Sequence, residues 1–176
     1  MRKPRQPSSR TRERAPLDAG AARERALKLL SRREHSAAEL AFKLQRRGAE
    51  ADIAQAAVAK VQDAGLQSDD RYAEMLVRNR IEQGYGPLRI RGELASAGID
   101  ESVARAALAA ADCDWTARCA ELRRRKFRNQ PKGAADWQKQ YRYLASHGFT
   151  ADAIRAAMKS SSTPEEDWTE SFEDFP

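Results

Sequence analysis

Apolar residues recur along the chain at the spacing of an α-helix. Ile53, Ala57 and Val61 follow one another at intervals of four, and Val103, Ala107 and Ala110 or Ala111 repeat the pattern, so each segment carries one stripe for burial. β-branched runs alternating at period two are absent, and no segment reads as a strand. The punctuation is helical too. Ser36-x-x-Glu39 reads as a capping box, Pro87 after Gly86 stands at a first helical position, and Asp100 and Thr150 stand at N-caps. Gly48, Gly65, Gly84, Gly98 and Gly148 fall where glycines end helices. Together these signals predict helices over 22–33, 36–47, 50–64, 69–83, 87–97, 101–111, 114–128, 133–147 and 151–159.

The pattern is also periodic on a longer scale. Segments 39–48, 89–98 and 139–148 align at a spacing of 50, and Leu44, Leu94 and Leu144 each precede a glycine by four. Five or six residues beyond each glycine, Ile53, Val103 or Ile154 opens another apolar stretch. The organisation is therefore three helices, three times: a repeat over 21–66, a second over 67–112 and a third over 113–159. They lie between a basic tail, 1–20, and an acidic tail, 160–176, both aperiodic and expected to be disordered. A three-helix unit of this size buries little surface alone, so the repeats are expected to stack. The expected fold is all-α, three tandem three-helix repeats forming an elongated, curved rod. Alanines at 54, 56, 57, 59 and through 104–111 let helices approach closely, as a thin rod requires.

Composition removes several function classes. In 176 residues, 41% are hydrophobic but only 7% aromatic, too little for the core of a large enzyme fold. There is no 18-residue apolar run, and the basic stretch Met1–Arg14 leads into no hydrophobic signal region, so the chain is expected to be cytoplasmic and free of membranes. Cys113 and Cys119 are six apart, which on a helix turns them roughly 240° from each other and excludes a disulfide. They read as small packing residues in a reducing compartment. His35 and His147 are the two histidines, both placed at helix ends, and no zinc-ligand spacing can be assembled. No GxSxG, GxxxxGK[ST] or GxGxxG frame occurs. The chain is read as non-enzymatic, with no cofactor and no metal.

Charge is divided unevenly. Residues 1–14 carry +5 and residues 160–176 carry −6, which leaves +7 on 15–159 from the overall +6. The acidic tail holds Trp168, Phe172 and Phe175, a mixture found in segments that fold on a partner. The densest basic stretch is 115–142, where Trp115, Phe127, Trp137 and Tyr141 interleave with Lys and Arg. Two readings stay open: a surface that neutralises phosphates and stacks on bases, or core aromatics beneath a solvated basic face. Three-helix units also suggest helix-turn-helix readers, but the third helices, 51–64 and 101–111, are alanine-rich and nearly bare of side chains that read bases.

A further set of residues carries a resemblance. Asp69-Asp70-Arg71-Tyr72-Ala73 is followed by Val77, Arg80, Gly84, Gly86-Pro87, Ile90, Glu93-Leu94 and Gly98-Ile99. Repeat one adds Ala26-Leu27, Leu29-Leu30, Arg33, Ser36, Glu39-Leu40 and Lys43-Leu44, and repeat three adds Arg142-Tyr143-Leu144 and Gly148-Phe149. From about 22 to 159 the chain resembles the RecX family, regulatory proteins of the RecA recombinase. Gly65-Leu66-Gln67-Ser68 departs from the family pattern, which more often has an aromatic or aliphatic pair before the acids.

The resemblance implies a monomeric, non-enzymatic modulator of SOS and DNA-repair functions. Such a protein lies in the groove of the RecA filament on single-stranded DNA and lowers ATP hydrolysis, strand exchange and co-protease activity. Single-stranded DNA would be met through the filament or by weak direct contact. Charge density places the expected contact face at Arg123, Arg124, Arg125, Lys126, Arg128 and Arg142, extended by Arg71, Arg80, Arg89 and Arg91. The alternatives are a DNA-binding helix-turn-helix transcription regulator and a scaffold joining two acidic proteins.

Overall fold

The computed structural model describes residues 16–159. Among them are nine α-helices and no strand: α1 (Ala19–Leu30), α2 (Ala37–Gln45), α3 (Ala51–Asp63), α4 (Asp69–Glu82), α5 (Pro87–Ser96), α6 (Glu101–Ala110), α7 (Trp115–Lys126), α8 (Ala134–Ser146) and α9 (Ala151–Lys159). The chain forms an all-α repeat fold. The tail residues 1–15 and 160–176 lie outside the described residues. Helix α1 begins three residues earlier than the apolar pattern predicts, because the Asp18 carboxylate accepts from the Ala21 N–H and caps it there. The end of the expected 1–20 tail is thus the first turn of a helix. None of the helices is long and apolar enough to cross a membrane.

The five glycines picked out as helix stops all take a positive φ. In each repeat the second helix ends in the same hydrogen-bonded loop. The N–H of Ala49, Ile99 and Phe149, the residues after the glycines, returns to the carbonyl of Leu44, Leu94 and Leu144 at 3.2, 3.1 and 3.4 Å. Those three leucines are completely buried. The left-handed glycine is what lets the chain reverse and bring its next apolar residue back over the leucine.

Two compact units divide the chain, the first ending at Tyr72 and the second starting at Ala73 within α4. In the first, Ala22 and Ala26 of α1, Leu40 and Leu44 of α2, and Ala54, Ala57, Val58 and Val61 of α3 form the core. The chain entering α1 is tied to it by the Leu17 N–H, which donates to the Gly48 carbonyl (3.1 Å). In the second, α5 packs on α6, and α7 packs on α8 and α9 around Cys119, Ala120, Leu144, Phe149, Ile154, Ala157 and Met158. The strict spacing of 50 holds in the third helices as Ala54, Ala104 and Ile154, all buried. Ile53 and Val103, expected to open the buried stripe, are only half-buried; small alanines sit deepest, where the helices approach most closely.

The glycine of the Gly86-Pro87 pair serves a close approach. The Gly86 N–H donates to the His147 carbonyl (2.8 Å) and the Leu88 N–H to the Gly148 carbonyl (3.0 Å), so orphan donors at the start of α5 are satisfied by the end of α8. A Cβ on Gly86 would fall far inside van der Waals contact of the Gly148 carbonyl group.

Candidate polyanion-binding face

The residues that carry the resemblance in the first unit are bound to one another. Asp69 Oδ1 accepts from the Ala37 N–H at the start of α2 (2.9 Å) and from Gln67 Nε2 (2.8 Å), whose other bond goes to the His35 carbonyl (3.1 Å). The first Asp of the motif is therefore a cap for another helix, and buried Gln67 is held by those two bonds. The Ser36 hydroxyl accepts from the Glu39 N–H as a capping box requires. The Glu39 carboxylate takes Arg33, Lys43 (2.7 Å) and His35 Nδ1 (2.9 Å). Burial works against the ionised form of Glu39, but hydrogen bonds from Lys43, His35 and Arg33 outweigh it and hold the carboxyl at about 2. Burial also lowers the His35 pKa, against the hydrogen bond to Glu39. His35 is a buried group in the loop between α1 and α2.

The four expected contact arginines outside repeat three are engaged. Arg71 pairs with Glu34 (2.9 Å) in the first unit. In the second, Arg80 and Arg89 share Glu93, and Arg91 pairs with Glu101 (2.6 Å). The Arg89 guanidinium also lies over the Tyr85 ring, 4.2 Å from its centroid. Burial opposes ionisation of Glu93, yet the hydrogen bonds from Arg80 and Arg89 lower its pKa. Carboxylates already neutralise much of the field of these arginines.

The α7 run is different, and not uniform. Four basic residues in the last turn complement the carbonyl end of the helix dipole, a structural reason for the cluster. At 100° per residue they cannot share one face. Arg123 is buried, 4% exposed, and donates through Nη1 to Gln130 Oε1 (3.0 Å) and Gln140 Oε1 (3.4 Å). The Arg123 head faces the protein interior, where burial lowers its pKa. Arg124 is exposed on the edge of a shallow pocket with Ile81, Asp112, Cys113, Arg118 and Glu121. Lys126 lies on another side, 5.6 Å from the Tyr143 centroid.

Arg124, Arg125, Arg128 and Arg142 are exposed and make no ion pair among the described residues. Lys132 and Lys139, inside the dense basic stretch but outside the expected contact set, are exposed in the same way. Within the expected contact set, the open positive charge therefore lies in repeat three. Its aromatics are largely packing groups: Trp115, Trp137 and Tyr141 lie against the core, with Trp137 stacked on Tyr141 at 5.0 Å. Phe127 meets Tyr143 edge-on at 5.4 Å, and Tyr143 lies 4.3 Å from His147, which stacks on Tyr85. Cys119 is fully buried, and burial pushes its thiol up to about 11. Among the described residues no three His, Cys, Asp or Glu side chains converge to hold a metal ion.

Three family models match this chain in tandem: the first three-helix domain of RecX over residues 22–60, the second over 68–108 and the third over 112–158. The regulatory protein RecX of Xanthomonas axonopodis pv. citri (strain 306) is 49% identical over 137 residues, covering 77% of this chain and 85% of that protein. That of Stenotrophomonas maltophilia (strain R551-3) is 44% identical over 151 residues, covering 85% and 89%. In fold, the crystal structure of RecX from Lactobacillus salivarius matches with a TM-score of 0.71 at 24% identity, over 81% of this chain and 96% of that one. A crystal structure of regulatory protein RecX matches at 0.70 with 26% identity, over 81% and 71%.

Proposed function

Since the chain belongs to the RecX family of regulatory proteins, we propose that it is a non-enzymatic modulator of the RecA recombinase that binds the recombinase filament on single-stranded DNA. Bound in the filament groove, it lowers ATP hydrolysis, strand exchange and co-protease activity. The observation that supports this most is the contrast in charge pairing. Among the expected contact residues, Arg71, Arg80, Arg89 and Arg91 of the second repeat are tied to carboxylates, while Arg124, Arg125, Arg128 and Arg142 of repeat three are open to a polyanionic partner. Many modest contacts repeated along a filament supply affinity without a catalytic constellation.

A helix-turn-helix transcription regulator is the weaker reading. The exposed side of α6 offers Glu101, Ser102, Arg105 and alanines, and on α9 Arg155 is held by Asp152 (2.7 Å), so neither helix presents a row of base-reading side chains. Co-sedimentation tests the proposal: the full chain should pellet with RecA filaments on single-stranded DNA, and the Arg124→Glu/Arg125→Glu variant should pellet less. Equal pelleting of both would move the contact off this face, and no pelleting of the wild type would refute filament binding.

A further inference from the structure

At the spacing of 50, Gln140 of α8 occupies the place where α2 and α5 bury Leu40 and Ile90, and it is nearly as buried, 5% exposed against 0%. Helix α7 departs in a matching way. α1 buries Ala22 and Ala26, α4 buries Ala73 and Val77, and α7 buries Cys119 and Arg123. Repeat three has put a guanidinium and a carboxamide where the other repeats have an apolar layer. Stability does not require this, since well-packed apolar residues in place of buried charged and polar groups are often neutral or stabilising.

The bonds of this layer show what it holds. Arg123 reaches Gln130, and Gln140 Nε2 donates to the Asn129 carbonyl (3.3 Å), so both grip the loop 127–133. That loop separates α7 from α8 by seven residues, where α4 and α5 are separated by four. It carries Arg128 and Lys132, both exposed and outside any ion pair among the described residues, and it begins at Phe127, set edge-on to Tyr143. A mobile loop of this length would lose conformational entropy on binding, a cost that anchoring it in advance removes.

We infer that the buried Arg123–Gln140 layer is a positioning device, holding the 127–133 loop as a contact element for the sugar-phosphate backbone of single-stranded DNA. Charge complementarity favours this occupant. The end of α7, the loop and α8 carry Arg125, Arg128, Lys132, Lys139 and Arg142, all exposed and outside any ion pair among the described residues, the charge that neutralises phosphates. An irregular loop is not a major-groove element, so single strands fit better than duplex. The inference deepens the proposed function but concerns the chain's own contact with DNA, which is measurable without recombinase.

The test is fluorescence anisotropy of a labelled oligo(dT) with the full chain across a salt series. Arg123→Met/Gln140→Leu, which restores an apolar layer, should keep its helicity and melt no lower than wild type. It should nevertheless bind roughly tenfold more weakly, with a salt slope flatter by about two, one for each loop cation. Arg128→Gln/Lys132→Gln should show the same loss, and combining the two pairs should add little. Wild-type affinity in the layer variant, or fully additive losses, would overturn the positioning role. If the layer variant fails to fold, wild-type affinity in Arg128→Gln/Lys132→Gln overturns the assignment of the loop. Wild-type protein that ignores oligo(dT) at low salt yet still inhibits recombinase ATPase would assign the face to an acidic protein surface, and leave the proposed function standing.

Discussion

The contact between the start of α5 and the end of α8 can be dissected with three glycines of the second unit. Gly84 has φ +82 and open surroundings, with a Cβ meeting Leu122 Cδ1 at an ordinary 3.5 Å. Gly86 has φ −87, which any residue adopts, but a Cβ there collides with the Gly148 backbone. Gly148 has φ +86, and a Cβ there collides with the backbone of Arg89, so it carries both problems. Gly84→Ala should therefore cost only the left-handed penalty, about 1–2 kcal/mol. Gly86→Ala must push the helices apart and break the bonds to His147 and Gly148. At about 1–3 kcal/mol for each of the two donors left unpaired, it should cost about 2–6 kcal/mol. Gly148→Ala should exceed either. Urea unfolding followed by tryptophan fluorescence suits this comparison, because Trp115 and Trp137 lie in this unit. A Gly86→Ala variant no less stable than Gly84→Ala would show that the close approach is absent and would refute the reasoning.

Leu94→Ala removes a fully buried side chain from the middle repeat and should cost about 2–5 kcal/mol in thermal or urea unfolding; an unchanged transition would mean the repeat register is wrong. Acid should weaken the first unit in two steps, both of one sign. The His35 pKa is lowered on folding, so stability falls as pH drops below its ordinary 6.5, and the Glu39 contribution falls as pH drops from 4.5 towards about 2. Glu39→Gln should flatten the lower step in urea midpoints measured against pH, and an unaltered profile would remove Glu39 as its cause. Arg124→Glu/Arg125→Glu should leave melting nearly unchanged, because both side chains are exposed, whereas Arg123→Glu should cost several kcal/mol, about 3–5, by setting a carboxylate among Gln130 and Gln140. Equal melting of the two variants would contradict the burial of Arg123.

The helices, their stops and their threefold recurrence were legible because each rests on local chemistry. A glycine that must take a positive φ and a leucine four residues before it form one unit, and that unit recurs at 44/48, 94/98 and 144/148. Burial within a basic run was not legible from charge density, since Arg123, Arg124 and Arg125 are chemically identical and only their position around the helix separates them. A signal did exist: Arg123 stands four residues after Cys119, the interval of the buried pairs Ala22/Ala26 and Ala73/Val77, and Gln140 aligns with Leu40 and Ile90. Ion pairing was equally hidden. Arg71 meets Glu34 across 37 residues, and Arg91 meets Glu101 across a turn, distances that no local pattern encodes.

The central claim is that this chain acts on the RecA recombinase. Its most direct test is the rate of ATP hydrolysis by RecA on single-stranded DNA as the full, folded chain is titrated in. The account predicts a rate that falls and saturates, with higher concentrations of the Arg124→Glu/Arg125→Glu variant needed to reach half effect. A rate that stays constant while the chain keeps its helical circular dichroism would contradict it.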